Sequence, residues 1–273
     1  MEECAPASLP AVIDLWTWWL ERPTSEVARL ATLLSHDETA RALRFVLARD
    51  ARRYIVARAS LRIVLGNRLG VPPDELTFDY NEFGKPHLAP RDSTPTPHFN
   101  LSHSGSLAML AICDRFPLGI DVEETKPLKE DIAGYFFSCR ERASLKRLPQ
   151  NDYLNGFYRC WTRKEAFVKA HGSGLAIALD SFDVSVGPRA ALNLGRLNGD
   201  ASERSHWRLY NIRVPAGFQG ALSALSDGAP VRLRYHAWQG EDLSLGNIKG
   251  SAAHPGCSDH LPHRNDDSQS VWA

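Results

Sequence analysis

The chain has 273 residues, 32 basic and 32 acidic side chains, and a hydrophobic content of 43%. A net charge of zero argues against a uniformly basic nucleic-acid-binding protein, and the hydrophobic content excludes global disorder. No apolar run approaches the ~20 residues that a membrane-spanning helix needs, and the first ten residues lack the features of a secretory signal. We therefore expect a cytoplasmic protein with no membrane or nucleic-acid partner.

The cysteines are few and widely separated. There are five, and no two form a CxxC pair. This spacing argues against a disulfide framework or a zinc ribbon and favours a reducing compartment.

The first half of the chain is predicted to begin with a buried strand and to continue through helices to a hairpin. Asp50 is a candidate N-cap for the longest of these helices, Gly70 ends it, and Gly105 is placed at the hairpin turn. The predicted elements are a strand at 11–20, helices at 25–34, 36–47 and 51–69, a strand at 76–80, and a hairpin between His98 and Cys113.

The second half is predicted to follow a similar plan. Its elements are a strand at 118–123, helices at 129–137, 139–148 and 151–171, and strands at 182–186, 207–214, 220–225 and 231–238. Because both halves mix helices with antiparallel strands, the sequence predicts an α+β fold. We expect two similar lobes, residues 1–115 and 116–238, although no sequence repeat demonstrates a duplication.

The composition changes after residue 238. Residues 239–273 are rich in Gly, Ser, Asp, Asn and His and poor in apolar side chains, which predicts a disordered tail. A zinc site is conceivable there, but a solvated tail is the favoured interpretation, since nothing nearby would hold the ligands still. The four residues with metal-ligand spacing are His254, Cys257, His260 and His263.

The predicted helix 151–171 carries a carboxylate where a core-facing residue is expected. Glu165 falls in the middle of an apolar stripe, whereas Arg159 and Arg163 are expected on the opposite, water-facing side. A carboxylate on a buried stripe needs a cation or a proton to compensate its charge. The alternative is an ordinary surface pair between Glu165 and Lys169, one turn apart.

The strand 118–123 carries two more carboxylates. Asp121 and Glu123 are two residues apart and share one face, whereas Ile120 and Val122 face the other way. Two neighbouring carboxylates repel unless a cation lies between them, and a solvent-exposed strand face is the alternative. If this face meets Glu165, three carboxylates converge, and such an oxygen-only site suits Mg²⁺ or Mn²⁺ with a phosphate-bearing ligand.

Cations that could bind phosphate are also present. Between Arg41 and Arg68 there are eight arginines and one acid, Asp50. This stretch is interpreted as a phosphate site, a solvated face or a dock for an acidic partner. Lys85 in EFGKP is either a phosphate clamp or a loop lysine, and a single histidine such as His103 is more often structural than chemical.

Five segments together resemble one enzyme family. The segments are FVLARDA (45–51), FGKP (83–86), FNLSHSG (99–105), PLGIDVE (117–123) and WTRKEAFVKAHGSGL (161–175). In this order and spacing the chain resembles the 4′-phosphopantetheinyl transferases, specifically the long, monomeric Sfp-type class. The resemblance spans about 35–185, and more loosely 11–240. The GIDVE and WxxKEAxxKxxGxGL pair carries most of its specificity.

This family transfers the phosphopantetheine arm of coenzyme A to a serine of an apo acyl or peptidyl carrier protein. The resemblance implies that Asp121, Glu123 and Glu165 hold Mg²⁺, with Mn²⁺ as an alternative. It also implies that Glu165 is the general base and that Lys169 stabilises the leaving 3′,5′-ADP. Coenzyme-binding roles are implied for Arg41, Lys85, Pro86, Ser102, His103, Lys164 and Lys169. The implied fold is a monomer of two lobes in pseudo-twofold relation, with coenzyme A between them.

One position departs from the family pattern. Some members carry a basic residue near position 38, where this chain has Glu38. Arg52 or Arg53 is the alternative cation for contacts to the 3′-phosphate. Two competing functions remain open. One is a metal-dependent phosphohydrolase or nuclease that uses the same carboxylates, and the other is a non-catalytic module that binds carrier proteins.

Overall fold

The structure, a computed structural model, describes residues 9–90, 95–128, 130–188, 194–197 and 201–240. The predicted tail 239–273 lies outside these residues except for Gln239 and Gly240, and so do its three histidines and Cys257.

The described residues form an α+β fold, as predicted. The helices are α1 (Thr24–Ala31), α2 (His36–Ala42), α3 (Ala48–Leu69), α4 (Ile132–Phe136), α5 (Cys139–Lys146), α6 (Tyr153–His171) and α7 (Ala201–His206). The strands are β1 (Ala11–Trp19), β2 (Phe78–Tyr80), β3 (Pro86–Leu88), β4 (His98–Ser104), β5 (Leu107–Cys113), β6 (Leu118–Glu124), β7 (Phe182–Asp183), β8 (Arg196–Leu197), β9 (Trp207–Asn211), β10 (Phe218–Leu225) and β11 (Val231–Ala237).

Two sheets carry most of the strands. The first has the order β11-β1-β5-β4, in which β1 is parallel to β11 and antiparallel to β5. The second has the order β6-β10-β9 and is antiparallel throughout. The remaining four strands form two short pairs, β2 with β3 and β7 with β8.

The order of elements in the first half repeats in the second. Each half has a strand, helices that end in a long one, a short strand pair and an antiparallel pair. In each sheet the opening strand lies beside the last strand of that pair, β1 beside β5 and β6 beside β10. The pseudo-twofold relation between the halves stays a prediction.

The final strand departs from the predicted lobe boundary. β11 was expected in the C-terminal lobe, but it pairs with β1 in the first sheet. Asp14 on β1 holds it there, since its carboxylate accepts hydrogen bonds from Arg234 and from His236, the latter at 2.7 Å. The chain thus ends its described part beside the strand with which it begins.

Alternating side chains of β1 pack into two different hydrophobic cores. Trp16 and Trp18 pack with residues of α3, whereas Ile13 and Leu15 pack with Ile120 and the other apolar residues between the two sheets. A third core surrounds α6 and contains Phe157, Phe167, Phe182 and Trp207. As a result α6 is enclosed by the second sheet and by α5, and it has little free surface.

Several local predictions need correction. α3 begins at Ala48 with Leu47 as N-cap, so Asp50 lies in the first turn and is not the cap. The strand β3 was missed, because it is short and begins at a proline. Arg163 was expected to face water but is only 1% exposed, and its guanidinium donates to Ser185 O at 2.6 Å and to Asn211 Oδ1 at 2.8 Å.

Two further sequence expectations concern membranes and cysteines. Among the described helices none is both long and apolar enough to cross a membrane. Cys113, Cys139 and Cys160 are free thiols.

Candidate active site

A glycine allows β6 to lie directly against α6. A Cβ atom on Gly119 would be 2.2 Å from Ala170 N and 2.4 Å from Ala166 O, closer than any side chain tolerates. Gly119 shares its strand face with Asp121 and Glu123, and the alternate residues Ile120 and Val122 are in the core between the sheets. The acidic face of β6 therefore faces the helix that carries Glu165 and Lys169, whereas the strand pattern alone predicted only that Asp121 and Glu123 share a face.

Asp121 and Lys169 form a buried pair at this junction. Asp121 is 2% exposed and Lys169 is 7% exposed. The Lys169 ammonium donates to Asp121 Oδ1 at 2.8 Å and to Ser102 Oγ at 3.2 Å, and Ser102 Oγ donates to the same Asp121 oxygen at 3.0 Å. A strand of each sheet and one helix thus meet at a single carboxylate.

The glutamates beside this pair titrate near neutrality. Burial, and then the charge of Asp121, raises the pKa of Glu165 to about 7 and that of Glu123 to about 7 as well. Although burial opposes it, the charges of Asp121 and Glu165 raise the pKa of Lys169. At neutral pH the site therefore holds a permanent ammonium and two glutamates that accept or release a proton readily.

The carboxylates fit a divalent cation chemically but are not gathered into a finished set of ligands. In the described part of the chain, no three acidic, histidine or cysteine side chains are close enough to hold a metal ion as they stand. Like charges repel, and the Lys169 ammonium already serves as the counter-charge of Asp121. The other Asp121 oxygen, Oδ2, is buried and has no hydrogen-bond partner among the described residues. A buried carboxylate oxygen without a partner, beside two further carboxylates, is what a hard cation would satisfy.

Alternate side chains of β4 join that strand to β6. Asn100 Oδ1 accepts from Ile120 N at 2.8 Å, and Ser102 Oγ accepts from Val122 N at 3.3 Å. Sequence reasoning missed the third member, Ser104. The sequence could have indicated it, because Asn100, Ser102 and Ser104 are two residues apart and therefore share one face of a strand.

Lys85 lies at the edge of this site and connects β6 with α6. Its ammonium donates to Leu118 O at 3.0 Å and to Ala170 O at 3.2 Å, at the start of β6 and the end of α6. Asn81 in the same turn donates to Gly172 O at 2.8 Å. Burial lowers the pKa of Lys85 to about 8. Its role as a phosphate clamp stays a prediction, and its observed contacts fasten the first half of the chain onto α6.

Lys164 lies elsewhere, and its predicted role in coenzyme binding needs correction. The side chain is fully buried, and its ammonium donates to Leu179 O at 2.5 Å, to Phe182 O at 2.7 Å and to Glu141 Oε1 at 2.8 Å. These three acceptors use all three of its protons. Lys164 therefore fastens α6 to α5 and β7 inside the third core.

A cavity of about 530 Å³ lies between α2, α3 and β2. Arg41, Tyr54 and Tyr80 are among its lining residues, and the Arg41 guanidinium lies over the Tyr54 ring at 5.6 Å. Pro86 and Arg41 also line a smaller adjoining cavity, together with Arg58. The cations of this region act on His103, whose pKa is lowered to about 4 by burial and then by the charges of Lys169, Arg53 and Arg41.

The departure at Glu38 has a structural explanation. Glu38 is buried and accepts from Arg58 Nη2 at 2.6 Å and from Arg62 Nε at 2.6 Å. It also caps α2 with Ser35. Its carboxylate is therefore the counter-ion of two arginines of α3, and it does not replace the phosphate-binding cation that some family members carry near this position.

Two family models match this chain. The model of the 4′-phosphopantetheinyl transferase superfamily matches residues 117–223, and that of the 4′-phosphopantetheinyl transferase N-terminal region matches residues 18–115. The 4′-phosphopantetheinyl transferase HetI of Nostoc sp. (strain PCC 7120) is 40% identical over 178 residues, which are 64% of this chain and 75% of the relative. The chain belongs to the 4′-phosphopantetheinyl transferase superfamily.

Two other superfamily members show how widely the similarity extends. The 4′-phosphopantetheinyl transferase Sfp of Bacillus subtilis (strain 168) is 34% identical over 168 residues, 61% of this chain and 73% of the relative. The L-aminoadipate-semialdehyde dehydrogenase-phosphopantetheinyl transferase of Rattus norvegicus is 30% identical over 212 residues, 72% of this chain and 68% of the relative. Membership in this superfamily makes the chain a transferase of phosphopantetheine to carrier proteins, and it implies coenzyme A as substrate and a divalent metal.

Proposed function

We propose that this protein transfers the 4′-phosphopantetheine group of coenzyme A to a serine of an apo acyl or peptidyl carrier protein, with Mg²⁺ as the metal. The observation that carries the proposal is the buried Asp121–Lys169 pair flanked by two glutamates of raised pKa. The products are the holo carrier and 3′,5′-ADP.

Glu165 has the properties of the base. In the transfer, the carrier serine oxygen attacks the phosphorus that bears the pantetheine arm, and the bond from that phosphorus to the leaving 3′,5′-ADP breaks. The serine proton must go to an acceptor, and a glutamate with a pKa of about 7 is in the range in which general bases work at neutral pH. No covalent enzyme intermediate is needed.

Lys169 supplies positive charge where negative charge develops. Its raised pKa keeps the ammonium protonated at neutral pH. Its pairing with Asp121 and Ser102 fixes the ammonium before substrate binds, so that it stabilises the departing phosphate without reorganisation.

Asp121, Glu123 and Glu165 would hold the metal, and Mn²⁺ is the alternative to Mg²⁺. The bound ion would neutralise the pyrophosphate oxygens and make the leaving group more stable. The buried, unpartnered Oδ2 of Asp121 supports this assignment.

The arginine-lined cavity is the proposed site for the nucleotide end of coenzyme A. Arg41 lines both of its parts, and Pro86 lines the smaller one. Burial, and then the surrounding cations, lower the pKa of His103 and keep its imidazole neutral at physiological pH, so that it acts as a hydrogen-bonding group towards the nucleotide. We further propose that the chain works as a monomer, because one chain supplies both halves of the site. We also propose that it works in the cytoplasm, since its widely separated cysteines favour a reducing compartment.

The test is an intact-mass measurement of apo carrier proteins incubated with the enzyme, coenzyme A and Mg²⁺. Acyl and peptidyl carriers from fatty-acid, polyketide and nonribosomal-peptide systems form the panel. A gain of one phosphopantetheine on at least one carrier is expected. Release of nucleotide fragments from coenzyme A without a carrier, and no gain on any carrier, would favour the phosphohydrolase alternative. Tight carrier binding without any gain would favour the non-catalytic module.

A further inference from the structure

Ser104, the last residue of β4, links the backbone of β6 to an acidic side chain of the same strand. Its Oγ accepts from Glu124 N at 3.1 Å and lies 2.6 Å from Glu123 Oε2. The neighbouring Ser102 repeats this arrangement with Val122 N and Asp121 Oδ1, at 3.3 and 3.0 Å.

Proton accounting fixes the direction of these hydrogen bonds. A serine hydroxyl has one proton to donate and two lone pairs to accept with. Ser104 Oγ accepts from Glu124 N with one lone pair, and it donates its single proton to the Glu123 carboxylate when that carboxylate is ionised, as a metal ligand must be. A hydrogen bond from a hydroxyl to a carboxylate is short and strong, in line with the 2.6 Å separation.

Ser104 therefore contacts both the Glu123 carboxylate and the backbone of the next residue, Glu124. Glu123 has several rotatable bonds, and nothing in a regular strand would fix the direction of its carboxylate. Ser104 fixes it on the face that also carries Asp121, from a strand that belongs to the other sheet. We infer that Ser104 is a positioning residue, which orients the Glu123 carboxylate towards the metal of the proposed transfer reaction.

This inference rests on the proposed function, and it predicts an effect on metal affinity. Replacing a group that orients a metal ligand typically costs about 10- to 100-fold in metal affinity. Two variants that have the same shape as each other isolate the effect of the hydroxyl. Ser104→Thr keeps the hydroxyl, and Ser104→Val has a methyl group in its place. Ser106→Ala, which removes a hydroxyl from the turn of the same hairpin, is a further control.

The first measurement is Mn²⁺ binding in the presence of coenzyme A, followed by the electron paramagnetic resonance signal of free Mn²⁺. Ser104→Val is expected to weaken binding by about 10-fold or more, while Ser104→Thr and Ser106→Ala bind as the wild type does. The second measurement is the Mg²⁺ concentration at half-maximal transfer, which should rise by a similar factor in Ser104→Val. The melting temperature of each variant sets an assay temperature at which all are folded.

The outcomes separate this inference from the proposed function. A wild-type enzyme that transfers nothing contradicts the function, whatever the variants do. A wild-type enzyme that transfers, with Ser104→Val binding Mn²⁺ as tightly as Ser104→Thr, overturns the positioning role of Ser104. Equal weakening in both variants, or in Ser106→Ala, also overturns it, because the hydroxyl would then not be the cause.

Discussion

At the scale of single residues, Glu165 couples the proposed chemistry to stability. A glutamate whose pKa rises from 4.5 in the unfolded chain to about 7 in the folded one stabilises the fold below pH 4.5, and this contribution is lost as the pH rises through 7. In metal-free buffer, Glu165→Gln should therefore become more stable than the wild type as the pH rises, by roughly 3 kcal/mol above pH 7. Chemical denaturation with a chelator from pH 5 to 8 measures this. Parallel stability curves for the two proteins would contradict it.

Lys169 should matter both for the chemical step and for folding, because its ammonium is also the counter-charge of the buried Asp121. Lys169→Ala removes the ammonium that we propose stabilises the leaving phosphate, and a loss of about 100-fold in the kcat of the folded fraction is expected. Lys164→Ala is the matched control, because it removes a lysine from the same helix whose contacts lie in the third core. It should lower the melting temperature more than it lowers the kcat of the folded fraction. An equal loss of kcat in both variants would argue against a role for Lys169 in charge stabilisation.

At the scale of elements, the site depends on how closely β6 approaches α6. Gly119→Ala would place a Cβ 2.2 Å from Ala170 N, so the strand and the helix must move apart. A loss of about 3 kcal/mol in the free energy of unfolding is expected, with weaker metal binding as Asp121 and Glu123 move away from Glu165. Gly70→Ala is the control, since there is open space around that position and its cost of about 1 kcal/mol comes from its positive φ alone. Urea titration of both variants distinguishes them, and equal costs would contradict the close-approach argument.

Element positions were largely readable from the sequence, whereas the surroundings of each side chain were not. The alternation of polar and apolar residues in β6 correctly placed Asp121 and Ile120 on opposite faces of the strand, because successive side chains of a strand point to opposite sides. The helical wheel misplaced Arg163, because α6 is enclosed on several sides and a wheel assumes one buried face. The family resemblance implied a coenzyme-binding role for Lys164, but its ammonium pairs with Glu141 inside the third core.

At the scale of the whole molecule, the fold is closed by its last described strand. β11 lies beside β1, and the Asp14 carboxylate holds Arg234 and His236 of that strand together with Arg68 of α3. Local periodicity cannot reveal a partner more than 200 residues away, so this pairing was absent from the sequence prediction.

Removing this carboxylate should loosen the closure. Asp14→Ala is expected to cost about 1–3 kcal/mol in the free energy of unfolding, because three donors lose their shared acceptor. Hydrogen exchange should show faster exchange of the β11 amides. Arg232→Ala, on the same strand and exposed, should leave both quantities close to those of the wild type. Unchanged exchange in Asp14→Ala would show that β11 is held by its backbone pairing alone.

We propose that carboxylates from β6 and α6 together form one metal-dependent transfer site. The most direct measurement is the intact mass of an apo carrier after incubation with coenzyme A, Mg²⁺ and either the wild type or Asp121→Ala, with folding of the variant checked by circular dichroism. One added phosphopantetheine per carrier is expected with the wild type and none with Asp121→Ala in the same time. Equal gains with both proteins would contradict this proposal.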